Sequence, residues 1–271
     1  MISVELVKML RRPRTWVTIA LLNALPTLVA VLLAVTDLGP QPGEGPPFLS
    51  AVLSDGTLFP LAAMAIVLPL FMPVAVALYA GESVAGEAQA GTLRYLLVRP
   101  VGRTRLLVAK LVSIMAFVLV AVAVVAVVAY VVGTLLLGDG SSGGSVTGIS
   151  GSSLSTAELV QRTLMSVVYV ALSMLGVAAL ALFLSTVSDS PLGAALGALA
   201  FLIASTLLLT LDAAEALRPY LPTRYWLSFV DLFRDPILWR DLVRGVALQG
   251  VYVVVFLAAA WANFSSKDVT S

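Results

Sequence analysis

The sequence contains neither cysteine nor histidine, and it has few charged residues. Without cysteine it can form neither disulfides nor thiolate metal sites. Without histidine it lacks the side chain that most often acts as a near-neutral acid or base. Only 11% of the 271 residues are charged, whereas 60% are hydrophobic. Because a soluble domain carries roughly 25% charged residues, this composition excludes an ordinary globular protein and indicates a membrane protein.

Several signatures of catalysis and transport are missing as well. No phosphate loop of the form GxxxxGK[ST] occurs, so the chain has no nucleotide site of that kind. The sequence therefore predicts no catalytic residue and no metal ligand. Six runs contain no Asp, Glu, Lys or Arg: 15–36, 56–81, 111–138, 163–188, 190–211 and 245–266. Ion-coupled carriers, in contrast, usually keep ionisable groups within their spans. If the chain transports a solute, we therefore expect the energy to come from another chain.

What the sequence does contain is six long apolar runs, each near the roughly 20 residues that a bilayer-spanning helix needs. They predict transmembrane helices at about residues 15–36, 56–81, 106–137, 159–187, 190–211 and 243–263. The predicted fold is thus an all-α integral membrane protein, with one transmembrane domain over residues 1–271.

The distribution of basic residues predicts the orientation of these helices. The N-terminal segment holds four of them, Lys8, Arg11, Arg12 and Arg14, and the 82–110 loop holds five more. The loops at 37–55 and 139–158 contain no Lys or Arg. Since short cytoplasmic loops are enriched in Lys and Arg, both termini and the 82–110 loop are predicted to be cytoplasmic.

Residues 1–14 have the pattern of an amphipathic helix that lies in the cytoplasmic interface. Ile2, Leu6 and Met9 fall on one face, and Pro13 then interrupts the helix. The alternative is a basic flank that only orients the first span.

Prolines and glycines predict two packing features. Pro60, Pro69 and Pro73 predict a bend near the middle of the second span. Gly193 and Gly197 form a small-xxx-small face that lets helices approach closely. That face suits packing within the chain and packing across a dimer equally well.

Two segments are predicted to lie outside the membrane or at its outer surface. The Gly/Ser-rich stretch 138–153 reads as a flexible outer loop. The 212–241 region mixes aromatic, apolar and charged residues, and it predicts one or two short helices that re-enter the outer leaflet. A plain outer loop is the alternative for this region.

The sequence "GESVAGEAQAGTLRYLLVRPVGRTRLLVAK", residues 81–110, concentrates charge between two apolar runs. It resembles the segment after the second span in permease subunits of ABC-2 type transporters, in which Glu precedes Gly-Thr-Leu, a Leu pair, Pro, Arg, Leu and Lys. The matching positions are Glu82, Gly91, Thr92, Leu93, Leu96, Leu97, Pro100, Arg103, Leu107 and Lys110. The inner turn at 183–196 and the C-terminal "ANFSSKDVTS" are also similar to that family, so the resemblance covers essentially the whole chain.

The resemblance implies a cytoplasmic coupling region at 82–104 that docks on a separate ATP-binding subunit. A helix from Glu82 to about Val98, ended by Pro100, would present leucines beside charged residues. The implied coupling residues are Glu82, Glu87, Gly91, Thr92, Leu93, Arg94, Leu96, Leu97, Pro100 and Arg103. The alternative is that these arginines only anchor to anionic headgroups.

The resemblance further implies an assembly of two permease copies or paralogues with two ATP-binding subunits in a bacterial or archaeal plasma membrane. The ATP-binding subunits would hold ATP and Mg²⁺, and this chain would hold no cofactor and bind no nucleic acid. The fifth span would contribute Gly193 and Gly197 to the dimer interface.

The implied translocation path lies between the two permeases, and its polar candidates are Asn23, Thr27, Ser205, Thr206 and Thr210. Each could instead bond its own helix backbone. The implied function is ATP-driven export of a drug, an antibiotic or a lipid-like amphiphile. The alternative is a membrane subunit that assembles or regulates a complex and transports nothing.

Overall fold

A computed structural model describes residues 2–36, 55–91, 103–138, 145–147 and 152–266, and these residues are almost entirely helical. The α-helices are α1 (Ile2–Arg11), α2 (Pro13–Val35), α3 (Phe59–Val67), α4 (Phe71–Gln89), α5 (Arg103–Leu136), α6 (Thr156–Val187), α7 (Pro191–Thr210) and α8 (Trp239–Ser266). Shorter elements are three 3₁₀ helices (Gly56–Leu58, Asp212–Tyr220 and Trp226–Phe233) and the strands β1 (Ser145–Thr147) and β2 (Ser153–Ser155).

Five helices, α2, α5, α6, α7 and α8, are long and apolar enough to cross a membrane. The bent pair α3–α4 makes a sixth if it counts as one span. The protein is therefore helical, with five to six candidate membrane spans. Several helices begin earlier than the apolar runs, because hydropathy locates only the apolar centre and a helix continues until its end is capped. Helix α6 begins at a capping box in which Ser155 and Glu158 satisfy each other's backbone amides.

The second predicted span is bent by 59° between α3 and α4. Leu70, which precedes α4, has φ −134° and ψ −56°, outside the helical region. Pro69 lies in the break and Pro73 in the first turn of α4, and neither can donate a backbone hydrogen bond. Pro60 lies in the first turn of α3, where no amide donor is needed. The bend predicted from these prolines is confirmed.

Helix α6 is the centre of the bundle and packs against α3, α4, α5, α7 and α8. Its contact with α8 depends on a small residue, since a Cβ added at Gly176 would collide with the side chain of Gln249. Its contact with α4 is polar. The Ser185 hydroxyl donates to the Gly81 carbonyl (2.7 Å) and accepts from the Val84 and Ala85 amides (3.1 and 2.9 Å). Because the Ser185 side chain bonds to backbone groups of α4, it fixes α6 against α4.

The bundle has two ends that we name by their contents. The terminal face comprises α1, the end of α4, the start of α5, the α6–α7 turn and the end of α8. There, Trp261 Nε1 donates to Thr104 Oγ1 (2.9 Å) and Asn263 donates to the Thr186 carbonyl (2.9 Å). The hairpin face comprises the 3₁₀ turn before α3, the end of α5, the strands, the start of α6 and the 212–241 segment. Both ends of the chain that the structure describes thus lie on one side, as six crossings require.

The 212–241 segment contains two short helices, as predicted, although they are 3₁₀ helices. Side chains from α6, α7 and α8 fasten it. Ser205 bonds Thr223 (2.8 Å), and Tyr252, Gln249 and Tyr169 donate to the carbonyls of Tyr220, Pro222 and Tyr225 (2.8, 2.8 and 2.7 Å). Buried Arg162 donates to the carbonyls of Leu232 and Arg234 (3.1 and 2.9 Å). Whether this segment enters the outer leaflet stays a prediction.

Part of the predicted flexible loop at 138–153 has regular structure, which corrects that prediction and the strictly all-α fold. β1 and β2 pair antiparallel, with Val146 opposite Leu154. Leu154 is buried, so this apolar side chain in a Gly/Ser-rich stretch packs inside the protein.

We expect the two faces to lie on opposite sides of the membrane, with the terminal face in the cytoplasm. Because the chain has no cysteine, a single introduced thiol reports its own position. In intact cells, Ser153→Cys should react with a membrane-impermeant maleimide, and Gln89→Cys should react only after permeabilisation. Reaction of Gln89→Cys in intact cells, with Ser153→Cys protected, would reverse the orientation.

Candidate functional site

Three charged side chains from three helices meet at the terminal face. Glu87 of α4 lies between Lys8 of α1 and Lys110 of α5. The Lys8 Nζ is 2.9 Å from Glu87 Oε1, and the Lys110 Nζ is 2.7 Å from Glu87 Oε2. Lys110 also donates to the Ser83 carbonyl. We call Lys8, Glu87 and Lys110 the ion triad.

The ion triad is mostly buried. Lys110 is 2% exposed and Glu87 is 8% exposed, whereas the Lys8 side chain is 38% exposed. Removing a charge from water costs several kcal/mol unless a close partner and hydrogen bonds compensate. Lys110 lies two turns inside α5, at the edge of its apolar run, so Glu87 is what allows it to remain there as an ion.

The helix that carries Glu87 extends past the predicted end of the second span. The sequence predicted an end at Gly81 and a separate helix from Glu82, but α4 continues without interruption to Gln89. It can do so because the two carboxylates are paired, Glu87 within the ion triad and Glu82 with Arg14 (2.9 Å). The helix ends at Gln89, and Gly91, two residues later, has a φ of +68°, which favours glycine.

This placement bears on the predicted coupling residues. Glu87 was expected to face a partner protein, but its carboxylate is buried and paired within the chain. Glu82 is half-buried and Gly91 is exposed. Arg103 begins α5. The remaining coupling residues lie outside the described part of the chain: Thr92, Leu93, Arg94, Leu96, Leu97 and Pro100.

A polar cavity of about 600 Å³ adjoins the ion triad. Its wall includes Glu5, Arg12 and Arg14 from the N-terminal elements, and Tyr79 and Ser113 from α4 and α5. The Tyr79 hydroxyl and Ser113 Oγ are 3.2 Å apart, and the Tyr79 ring stacks on Phe117 with centroids 4.5 Å apart. The cavity at the terminal face is therefore large enough to hold water, and side chains of both charges line it.

The residues predicted to line a path do not come together in one chain. Helix α2, with Asn23 and Thr27, packs mainly against α5, whereas α7 packs mainly against α4 and α6. Asn23 donates to the Ile19 carbonyl (2.7 Å), and Thr206 and Thr210 donate to carbonyls of α7 (3.0 and 2.7 Å). The alternative given for these residues, a bond to their own helix, is what these three side chains form. The Ser205 hydroxyl instead forms a hydrogen bond with the Thr223 hydroxyl.

The glycines of α7 are exposed within the chain. A Cβ added at Gly197 would meet only the Leu184 side chain (3.2 Å), and one added at Gly193 would meet serine side chains of the preceding turn. The close approach of α7 to α4 occurs at Gly81 instead, where an added Cβ would lie 2.9 Å from the Pro191 carbonyl oxygen. Gly193 and Gly197 are thus not needed for packing within the chain.

The chemistry available at this site is electrostatic pairing and hydrogen bonding. Among the described residues there is no group of three or more acidic, His or Cys side chains that could hold a metal ion. What the arrangement does physically is to lock the N-terminal helix, the end of the bent span and the start of α5 together. Sequence reasoning missed this pairing, although one signal existed: Lys110 borders an apolar run and would need a partner there.

Residues 44–270 match a family model described as a protein of unknown function, DUF2705. The chain belongs to the DUF2705 family. The match includes Glu87 and Lys110 but begins after Lys8, so two members of the ion triad lie in the family region and one precedes it. No curated protein sequence matches the chain.

We predict that Lys110→Met destabilises the protein strongly, because Glu87 would stay buried with only half-exposed Lys8 as partner. Removing one partner of a buried ion pair costs about 3–5 kcal/mol. The melting temperature in detergent should fall accordingly, and the double variant Glu87→Leu, Lys110→Met should melt above the single variant.

Lys8→Met is the matched control, because it removes the same charge from a more exposed position, where an ion pair contributes about 0–1 kcal/mol. Equal melting temperatures for Lys110→Met and Lys8→Met would contradict the importance of the buried pair. So would a double variant that melts below Lys110→Met.

Proposed function

We propose that this DUF2705 protein is the membrane-spanning permease subunit of an ATP-driven transporter of the ABC-2 type. In this proposal a separate nucleotide-binding subunit binds ATP and Mg²⁺ and docks on the 82–104 region at a cytoplasmic terminal face. Two such subunits act with two permeases, which are copies of this chain or paralogues, in a bacterial or archaeal plasma membrane. The proposed activity is export of a drug, an antibiotic or a lipid-like amphiphile.

The observation that carries the proposal is the resemblance of residues 82–110 to the coupling segment of ABC-2 permeases. Ten positions match in order, from Glu82 to Lys110. The described helices support it by their placement, since α4 ends at Gln89 and α5 begins at Arg103. A partner that binds the intervening residues would therefore act directly on the ends of two helices.

The geometry suggests how force applied there would travel. Helix α4 is 19 residues long and connects the docking region to the 59° break. Because the ion triad joins α4 to α1 and α5, displacement of the docking region would move these three ends together. The proline-containing break is the point where the motion could be absorbed or turned.

The proposed path and dimer interface use surfaces that one chain leaves open. The exposed face of α7 with Gly193 and Gly197 suits close contact with a second permease. A path between the two permeases would have mostly apolar walls, which suits an amphiphile.

One observation favours the second candidate, a membrane subunit that assembles or regulates a complex without carrying a substrate. Asn23, Thr206 and Thr210 all bond their own helices, so each of them uses a hydrogen-bond donor on its own backbone rather than on a solute. In that case a partner would still bind the terminal face, but ATP hydrolysis would not respond to a solute.

We expect the chain to co-purify with an ATP-binding subunit, and substrate-stimulated ATP hydrolysis to appear after reconstitution. The Leu96→Asp, Leu97→Asp variant should lose both, because charged side chains would occupy the apolar part of the docking segment. Leu217→Asp makes the same change at an exposed leucine of the hairpin face and should keep both activities.

Each failure has a separate meaning. Normal transport by the Leu96→Asp, Leu97→Asp variant, or the absence of a retained ATPase, would contradict the coupling role. Retention of an ATPase whose hydrolysis ignores every amphiphile tested would favour the assembly subunit.

A further inference from the structure

A second cavity, of about 540 Å³, lies where α1 meets α2. Its polar lining includes Arg12, Arg14 and Thr15, and its apolar lining includes Val17, Ala75 and Leu78. It shares Arg12, Pro13, Arg14, Tyr79 and Glu82 with the cavity beside the ion triad, so one carboxylate also lines it. A site with a polar and an apolar part suits an amphiphilic ligand.

The polar part is the N-terminus of α2, a helix of 23 residues. The residue before its first turn is Arg12, whose side chain makes no capping hydrogen bond. The N-terminus of a helix carries partial positive charge, which favours an anion. Because Pro13 has no backbone N–H and the Thr15 amide donates to the Arg12 carbonyl (3.1 Å), the direct contacts would come mainly from side chains.

Thr15 is an independent sign that a ligand is missing from this place. The residue is 3% exposed, and its hydroxyl forms no hydrogen bond with any residue the structure describes. Buried hydroxyl groups normally have a partner. Since Thr15 lines the cavity, a ligand there would provide one.

Arg12 and Arg14 add the positive charge that an anionic ligand requires. Within the described ranges, no carboxylate lies within ion-pair distance of Arg12. Arg14 pairs with Glu82, but its side chain is 82% exposed and its guanidinium has further donors. Guanidinium groups bind phosphate oxygens in pairs, which adds geometric specificity.

We propose that the start of α2, with Arg12, Arg14 and the Thr15 hydroxyl, binds the phosphate of an anionic phospholipid headgroup. The acyl chains of the lipid pack against Val17, Ala75 and Leu78. This position fits the membrane interface, because α1 exposes Val4 and Val7 and Trp16 Nε1 donates to the Leu10 carbonyl (2.8 Å) across the elbow. The lipid site does not depend on the proposed transport function.

The test uses the full chain, delipidated in a zwitterionic detergent and titrated with phosphatidylglycerol or phosphatidylcholine, with bound lipid counted by native mass spectrometry. We expect one tightly retained phosphatidylglycerol and weaker retention of phosphatidylcholine. Arg12→Gln and Thr15→Val should each weaken phosphatidylglycerol retention about tenfold, the effect of one lost hydrogen bond to a charged group. Thr15→Ser keeps the hydroxyl and should bind normally, which separates loss of the contact from loss of the fold.

Arg11→Gln is the matched control, since Arg11 carries the same charge one residue earlier and lines neither cavity. Equal weakening by Arg11→Gln and Arg12→Gln would overturn the site in favour of diffuse attraction to a charged surface. Phosphatidylcholine carries the same phosphate beside a choline cation, so equal retention of the two lipids would overturn the selectivity for an anionic headgroup. Displacement of phosphatidylglycerol by millimolar inorganic phosphate would assign the site to a free anion and overturn the lipid assignment.

Discussion

The pairing of Glu87 with Lys110 determines how the terminal face is built. Lys110 is almost fully buried at the start of a long apolar run, and its charge is tolerable only beside a carboxylate. Helix α4 must therefore extend beyond Gly81 to bring Glu87 to it, and α1 must lie across both helices for Lys8 to reach the other carboxylate oxygen. Separation of α4 from α5 would leave a buried charge without its main partner, whereas α1 adds the more exposed Lys8 as a second partner of Glu87. The other terminal contacts, including Glu82 with Arg14 and Tyr79 with Ser113, surround this pair and add to it.

This arrangement determines how a force applied between Gln89 and Arg103 would be transmitted to the rest of the protein. The helices on either side of it are held to each other and to the N-terminus, while α4 leads back to a 59° break in the middle of the bundle. At the other end, the 212–241 segment is fastened by bonds from α6, α7 and α8, so the hairpin face forms a second connected layer. Two connected layers joined by several candidate spans, one of them bent, suit a protein that transmits a push from one side of a membrane to the other. The same design would also serve a subunit that anchors partners, which is why substrate-dependent ATP hydrolysis separates the two functions.

Sequence reasoning captured the features that depend on composition and local sterics. Long apolar runs predicted the membrane helices, and Pro69 and Pro73 predicted the break, because hydropathy and a missing amide act whatever the tertiary context. The features it missed depend on which helices meet. A carboxylate at the end of an apolar run looks like the end of a span, and only the proximity of Lys8 and Lys110 shows that Glu87 is inside the helix bundle. In the same way, Gly193 and Gly197 stand out in sequence, whereas the close helix contact uses Gly81, whose neighbour Pro191 is far away along the chain. The coupling residues from Thr92 to Pro100 rest on the resemblance alone.

The central claim is that the ion triad makes α1, α4 and α5 one rigid unit at the terminal face. It can be tested by pulsed electron paramagnetic resonance, since the chain has no cysteine of its own. Spin labels would be placed at Val4→Cys on α1 and Gln89→Cys at the end of α4, both of which are exposed. The account predicts a single narrow distance distribution that broadens when Lys110→Met is added. A broad distribution with the ion triad intact, or an unchanged narrow one in the Lys110→Met background, would contradict it.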